Sequence, residues 1–316
     1  MSDLSPTALK WLSNHHGVIT AGQLSTAGVG RATRQRLVAA GVLHCVARGV
    51  YVLASAPVTI EQRCAVLCAS HPAGFVTGPT AGSMLGLRRM PRHAALHFSV
   101  PHPARFDEAP GVHLRQTTSI AAADRTARDD GVTVAAPARL AFDLAADLPE
   151  LDLLSVLHQL VKEHRVSADD LIAIERRLGH RARRGSGRFK RALERLGSGR
   201  PNESHPEVVL GELLRARGVP VVNQAVVLRA STGREARIDL GVPDVRWGVE
   251  LDIHPEHDTV EGRSKDARRV RDLQVADWQI EPVVEADMAN AGALADELAA
   301  SYHRRCRPAD PHPRAG

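Results

Sequence analysis

The chain has 316 residues, 43% hydrophobic and 24% charged, a globular balance that excludes wholesale disorder; its length favours two or three domains of about 100–200 residues. Lys and Arg outnumber Asp and Glu by 41 to 36, and the net charge of +5 points mildly to a polyanionic partner. No apolar run approaches the roughly 18–20 residues of a membrane span, and the opening MSDLSPTALKWLS has no basic segment leading into an apolar one, so a cytoplasmic protein with no membrane partner is expected.

Residues 1–56 read as one compact unit. A short helical pattern covers Thr7–Leu12. Thr20 is placed to cap a helix beginning at Ala21, because its hydroxyl can accept an otherwise unpaired backbone N–H. GRATRQRLVAAGVL makes a third helix ending near Gly41, and LHCVARGVYVLA alternates around Arg48-Gly49 as a hairpin does. Three helices followed by a hairpin predict a winged helix-turn-helix. In that arrangement the third helix enters the major groove and the wing meets the backbone of double-stranded DNA. Arg31, Arg34 and Arg36 on that helix, and Arg48 on the wing turn, are therefore the first DNA-binding candidates.

Residues 57–175 predict a mixed α/β middle region. TIEQRCAVLCASHP and TGPTAGSMLGL have helical patterns, and ALHFSV and GVHLRQ have strand patterns. PARLAFDLAADLPELDLLSVLHQLVKEH reads as one or two amphipathic helices, and SADDLIAIERRL as another, capped by Ser167. His71, His93, His97, His102 and His113 lack metal-site spacing and read as packing or solvent-facing residues. Cys64 and Cys68 lie one helical turn apart. With no second Cys/His pair at zinc-site spacing, these two, Cys45 and Cys306 read as idle or buried thiols.

Residues 176–202 carry a basic linker or helix. Ten Lys or Arg face one Glu between Arg176 and Arg200, with Gly and Ser as expected flexible points. The stretch reads either as a solvated segment or as a phosphate-contacting one. In the second reading Arg183, Arg184 and Lys190 add DNA affinity without base specificity.

Residues 203–302 alternate again. A helix over ESHPEVVLGELLRARGV is expected to end at Gly218, followed by strands VVNQAVVL, EARIDLGV and RWGVELDI. The charged helix GRSKDARRVRDLQVADW, a strand in QIEPVVEADM and a closing helix NAGALADELAASYHRRC complete the pattern. Residues 303–316 are expected to be a disordered tail. Side chains two apart on a strand share a face, so Glu250 and Asp252 point the same way, and Asp239 joins them if the register allows. Converging carboxylates repel one another and favour a hard divalent cation such as Mg²⁺ or Mn²⁺. Relief of that repulsion predicts that Asp239→Ala spares or raises stability.

The pieces ESHPE and RIDLGVPDVRWGVELDIHPEH, with Asp266, Arg269, Leu273 and Trp278 after them, resemble the Vsr-like nuclease domains of the PD-(D/E)XK superfamily. The resemblance covers residues 203–288. It implies a restriction-endonuclease-like α/β fold and a metal-dependent deoxyribonuclease. It makes Glu207, Asp239, Glu250 and Asp252 the catalytic acids, with Asp239, Glu250 and Asp252 as metal ligands. Asp252 stands where the superfamily has a lysine, so the positive group falls to His257, Lys265 or Arg269. Residues 1–170 resemble the AbiEi-type antitoxins of type IV toxin–antitoxin systems, through the opening winged helix with ARGVYVL and through VTVAAPARLAFDLA. That resemblance implies operator DNA binding; a separate toxin partner cannot be read from the chain. The expected whole is a multidomain α+β protein that binds DNA and cuts it. The alternative is a toxin–antitoxin-type regulator with an inactive nuclease-like domain, which Ile253, where the subgroup usually has Gly, supports.

Overall fold

The computed structural model describes residues 4–91, 95–104, 110–197, 204–228, 235–252 and 273–307. The protein is a multidomain α+β chain, with three sheets among these residues. It divides into two compact units. The first takes Met1–Pro149 and Val166–Lys190, and the second takes Glu150–Arg165 and Arg191–Gly316. No helix among the described residues is long and apolar enough to cross a membrane.

The first unit opens with α1 (Pro6–Asn14), β1 (Val18–Thr20), α2 (Ala21–Thr26), α3 (Arg31–Ala39), β2 (Leu43–Ala47) and β3 (Val50–Leu53). Thr20 caps α2 as its sequence predicts. Its Oγ1 accepts from the Gln23 N–H at 3.2 Å, and Gln23 Oε1 accepts in return from the Thr20 N–H at 2.7 Å. β1 is an addition to the sequence reading: three residues are too few to carry a visible alternation. It pairs antiparallel with β3 to give the sheet order β1-β3-β2. Ala8, Leu12, Ile19, Leu24, Leu37 and Leu43 bury their side chains between these helices and strands.

A five-stranded sheet, ordered β6-β5-β4-β8-β7, fills the rest of this unit. Its strands are β4 (Phe75–Val76), β5 (Leu96–Pro101), β6 (Val112–Thr117), β7 (Arg125–Ala127) and β8 (Thr133–Ala135), accompanied by α4 (Ile60–Ser70), α5 (Gly78–Met84) and α6 (Pro137–Leu144). Pro149 separates α6 from α7 (Glu150–Lys162), settling the long amphipathic run as two helices. α8 (Ala168–Leu178) packs on α6. Cys64 and Cys68 are buried and free, and burial pushes their thiols up to about 12 and about 11, which keeps them protonated and unreactive.

Charges are buried beneath this sheet. Arg139 and Asp143, one turn apart on α6, pair at 2.9 Å, and Arg139 also holds Asp124 at 2.9 Å. Arg177 of α8 completes the pair with Asp124. Burial pushes the Asp124 carboxyl up, but the Arg177 hydrogen bond, the Ala121 N–H and the two guanidinium charges outweigh it, and the net shift is downward. Asp130 is likewise lowered: burial raises it, and bonds from Arg128, His16 and the Val132 N–H overcome that. A carboxyl depressed in the folded state contributes stability above its unfolded pKa of about 3.9, and loses it as pH falls through the lower folded value. An acid titration followed by circular dichroism is therefore expected to show unfolding of this unit below about pH 4. Asp130→Asn should flatten that dependence; an unchanged curve would remove Asp130 from the account.

The basic stretch is ordered where it is described. Arg176 and Arg177 close α8, and α9 (Ser186–Leu196) follows after a turn, with Phe189 buried against Phe142 at 5.1 Å between ring centres. Arg188 Nη1 donates to the Ala145 and Leu148 carbonyls at 2.8 and 2.7 Å. Gly185 permits a close approach of the chain. Gly185 has φ +91°, and a Cβ there would lie 2.6 Å from the Ala145 carbonyl carbon.

The second unit holds α7, α10 (His205–Ala216), β9 (Val222–Leu228), β10 (Glu235–Val242), β11 (Trp247–Asp252), β12 (Gln279–Val284) and α11 (Ala291–Arg305). α7, assigned from the sequence to the middle region, packs here on α10, because its apolar face finds cover in that helix. The sheet order is β12-β11-β10-β9, antiparallel except for the parallel pair β11–β12. Leu210, Leu214, Leu240, Val249, Val283 and Leu298 form one apolar core. Ala225, Val227, Ala236, Ile238, Leu273 and Trp278 form the other. Most of the charged helix expected over 262–278, and the tail beyond Arg307, lie outside the described residues. α11 itself runs to Arg305, so the predicted tail starts later than residue 303.

Candidate functional site

Ile238 and Leu240 are two apart on β10, yet they belong to different cores. A regular strand would put both on one face. The alternation therefore breaks at Asp239. Gln224, opposite it on β9 by the register, has φ +49°, the left-handed region. On the other side, the β10–β11 ladder ends with Leu240 opposite Val249, and beyond it the Leu251 N–H bonds to the Asp239 side chain. Gln224 and Asp239 thus form a row across β9 and β10 at the point where the sheet changes face, with Glu250 on the next strand.

Glu207 joins this row from α10. Ser204 caps the helix, accepting the Glu207 N–H at 3.4 Å and donating to Glu207 Oε1 at 2.7 Å. The Glu207 side chain is buried, and its second oxygen accepts from Gln224 Nε2 at 3.2 Å. The same amide nitrogen donates to Asp239 Oδ1 at 3.1 Å, and Asp239 Oδ2 accepts the Leu251 N–H at 2.9 Å. One amide thus bridges two carboxylates. Each buried oxygen gains a donor, which offsets the cost of taking it from water.

Gln224 escaped the sequence reading. It sits in VVNQAVVL, where a lone Gln looks like an outward-facing strand residue. An amide opposite an aspartate was the available signal, and it needs the register. The bridge also corrects the stability expectation for Asp239→Ala. The carboxylate is a hydrogen-bond hub, and its loss strands two donors at a cost of about 1–3 kcal/mol.

Glu250 is half-buried on β11. Asp252 ends that strand, its backbone paired with Val284, while its side chain lies outside the described residues. His257, Lys265, Asp266 and Arg269 also lie outside them. Among the described residues no three His, Cys, Asp or Glu side chains gather as a metal-ligand set. The carboxylates of Glu207, Asp239 and Glu250 offer oxygen, the kind of ligand that Mg²⁺ and Mn²⁺ prefer, while the Gln224 amide nitrogen lies between Glu207 and Asp239.

The basic candidates fall into two groups. Arg31, Arg36 and Arg48 are exposed, with Arg48 beside Gly49 in the β2–β3 turn. Arg36 also donates to Thr33 Oγ1 at 3.2 Å. Arg34 is half-buried, its guanidinium 5.6 Å above the Tyr51 ring, so it packs α3 on β3 as well as carrying charge. Arg184 and Lys190 are exposed, but Arg183 lies 4.8 Å over the Phe142 ring and reaches Asp143 at 3.4 Å.

No protein-family model matches the chain, and no curated protein matches it. Among solved structures, the RV2827C protein from Mycobacterium tuberculosis is 21% identical, over 61% of this chain and 81% of that chain, with a TM-score of 0.40.

Proposed function

We propose that the protein binds double-stranded DNA through a winged helix in its first unit and hydrolyses phosphodiester bonds at the acid row of its second. The observation that carries this reading is the row itself, in which Asp239 is linked through Gln224 to the buried Glu207, with Glu250 on the neighbouring strand β11. Glu207 is buried and Asp239 and Glu250 are half-buried, and acids grouped in this way are candidates for a functional site. The second unit is read as restriction-endonuclease-like on its strand order and on the resemblance of its motifs.

Asp239, Glu250 and Asp252 are the residues that would hold Mg²⁺ or Mn²⁺. Such an ion supplies Lewis acidity and a lowered water pKa for attack on phosphorus. Glu207 and Gln224 orient Asp239 through the bridging amide. The Leu251 N–H fixes the other Asp239 oxygen.

Nicking or linearisation of supercoiled plasmid with Mg²⁺ or Mn²⁺, abolished by EDTA, tests the nuclease. A protein that binds duplex DNA and leaves plasmid intact with either ion is instead the regulator or antitoxin, whose toxin partner is then sought by co-purification.

The DNA-binding half has its own test. Arg31→Ala is expected to weaken duplex binding on every sequence and to reduce the slope of log Kd against log salt by about one unit if it meets a phosphate. Arg34→Ala should also lower the melting temperature, because it removes the Tyr51 stack. A salt titration in which Arg31→Ala matches the parent would take α3 out of the interface.

A further inference from the structure

We propose that a cavity in the first unit, between β6 and the α8–α9 turn, binds the terminal phosphate of a nucleotide, either free or at the end of a nucleic-acid strand. The cavity measures about 610 Å³, the size class of small-ligand pockets. Arg115 of β6 and Arg183 and Arg184 of the turn line it, together with His102, His113 and His180.

Among the described residues, guanidiniums here outnumber carboxylates. Arg115, Arg139, Arg177 and Arg183 are paired with the three carboxylates Asp124, Asp143 and Asp147. Arg184 adds a fifth guanidinium, with no ion pair among the described residues. Burial draws the Arg183 pKa below its usual value; Asp143 opposes that, and Arg139, Arg115 and Arg177 deepen it. The group remains charged, as guanidinium does, so the crowding is relieved by an anion.

Shape selects among anions. The Arg115 and Arg183 side chains are only 24% exposed, so a ligand must present a narrow charged tip to reach them. A phosphate monoester has that form and matches the guanidinium fork, whereas the broad backbone of an intact duplex does not. The volume leaves room behind the phosphate for more of the ligand. Gln116, Thr117 and Thr118 offer it neutral hydrogen-bond partners.

The test is titration calorimetry on the full chain in EDTA buffer, which keeps metal-bridged binding at the acid row out of the signal. The probes are ATP, adenosine, inorganic phosphate, and a single-stranded 12-mer with either a 5′-phosphate or a 5′-hydroxyl. ATP or the phosphorylated 12-mer is expected to bind at least tenfold tighter than its unphosphorylated counterpart. Tight ATP identifies a free nucleotide as the source; preference confined to the 12-mer identifies a strand end. Arg184→Glu should weaken the preferred probe at least tenfold at an unchanged melting temperature, and Arg184→Lys should restore part of it. The proposal is overturned if neither phosphorylated probe is preferred, if inorganic phosphate alone binds, or if folded Arg184→Glu binds as the parent does.

Discussion

Replacing Asp143 by Ala is expected to destabilise the first unit by about 3–5 kcal/mol, the usual cost of leaving a buried charge without its partner. Asp143 is fully buried. It accepts from Thr77 Oγ1 at 2.8 Å and from Arg139 Nε at 2.9 Å, and it meets Arg115 at 3.2 Å and Arg183 at 3.4 Å. Alanine removes the carboxylate, leaves Arg183 and the Thr77 hydroxyl without it, and leaves Arg139 and Arg115 each with one remaining carboxylate, Asp124 at 2.9 Å and Asp147 at 3.8 Å. Asp143→Asn keeps the shape and part of the hydrogen bonding and should cost less. Native-state hydrogen exchange on the α6 and β5 amides reads this unit separately from the second. A loss under about 1 kcal/mol for Asp143→Ala would mean that the charges are solvated and the network contributes little.

Asp239→Asn is expected to reduce plasmid cleavage by about a hundred- to a thousandfold, since metal-assisted charge stabilisation is worth several kcal/mol and each 1.36 kcal/mol is tenfold. Asparagine keeps the size of Asp239, and its oxygen can still accept the Leu251 N–H, so the strand pairing survives. Its NH2 then faces the Gln224 donor, so the melting temperature should fall less than for alanine, while duplex affinity stays near the parent value. Asp239→Ala is expected to lose cleavage as well, but with the added destabilisation that the stranded Gln224 and Leu251 donors impose. Cleavage by Asp239→Asn at the parent rate would place the chemistry elsewhere, or in a contaminant. Comparing the two variants separates a lost ligand from a disturbed strand.

What the sequence determined by itself is local. Thr20 and Ser167 announced their helices because a cap is set by residues within one turn. The strand over Glu235–Val242 was visible in its alternation. The candidacy of Asp239 and Glu250 came from adjacent strand patterns. The rest is non-local and came with the fold. Gln224, on a strand with a left-handed backbone there, joins Asp239 to Glu207, and α7 leaves its sequence neighbours for α10. Arg139 and Asp143 lie one turn apart on α6, and only the fold brings Asp124 and Arg177 to them. Arg183 looked like a free phosphate contact until Phe142 and Asp143 were found beneath it. Capping and alternation depend on neighbours a few residues away. Pairing of strands and compensation of buried charge depend on groups tens of residues apart, which only folding brings together.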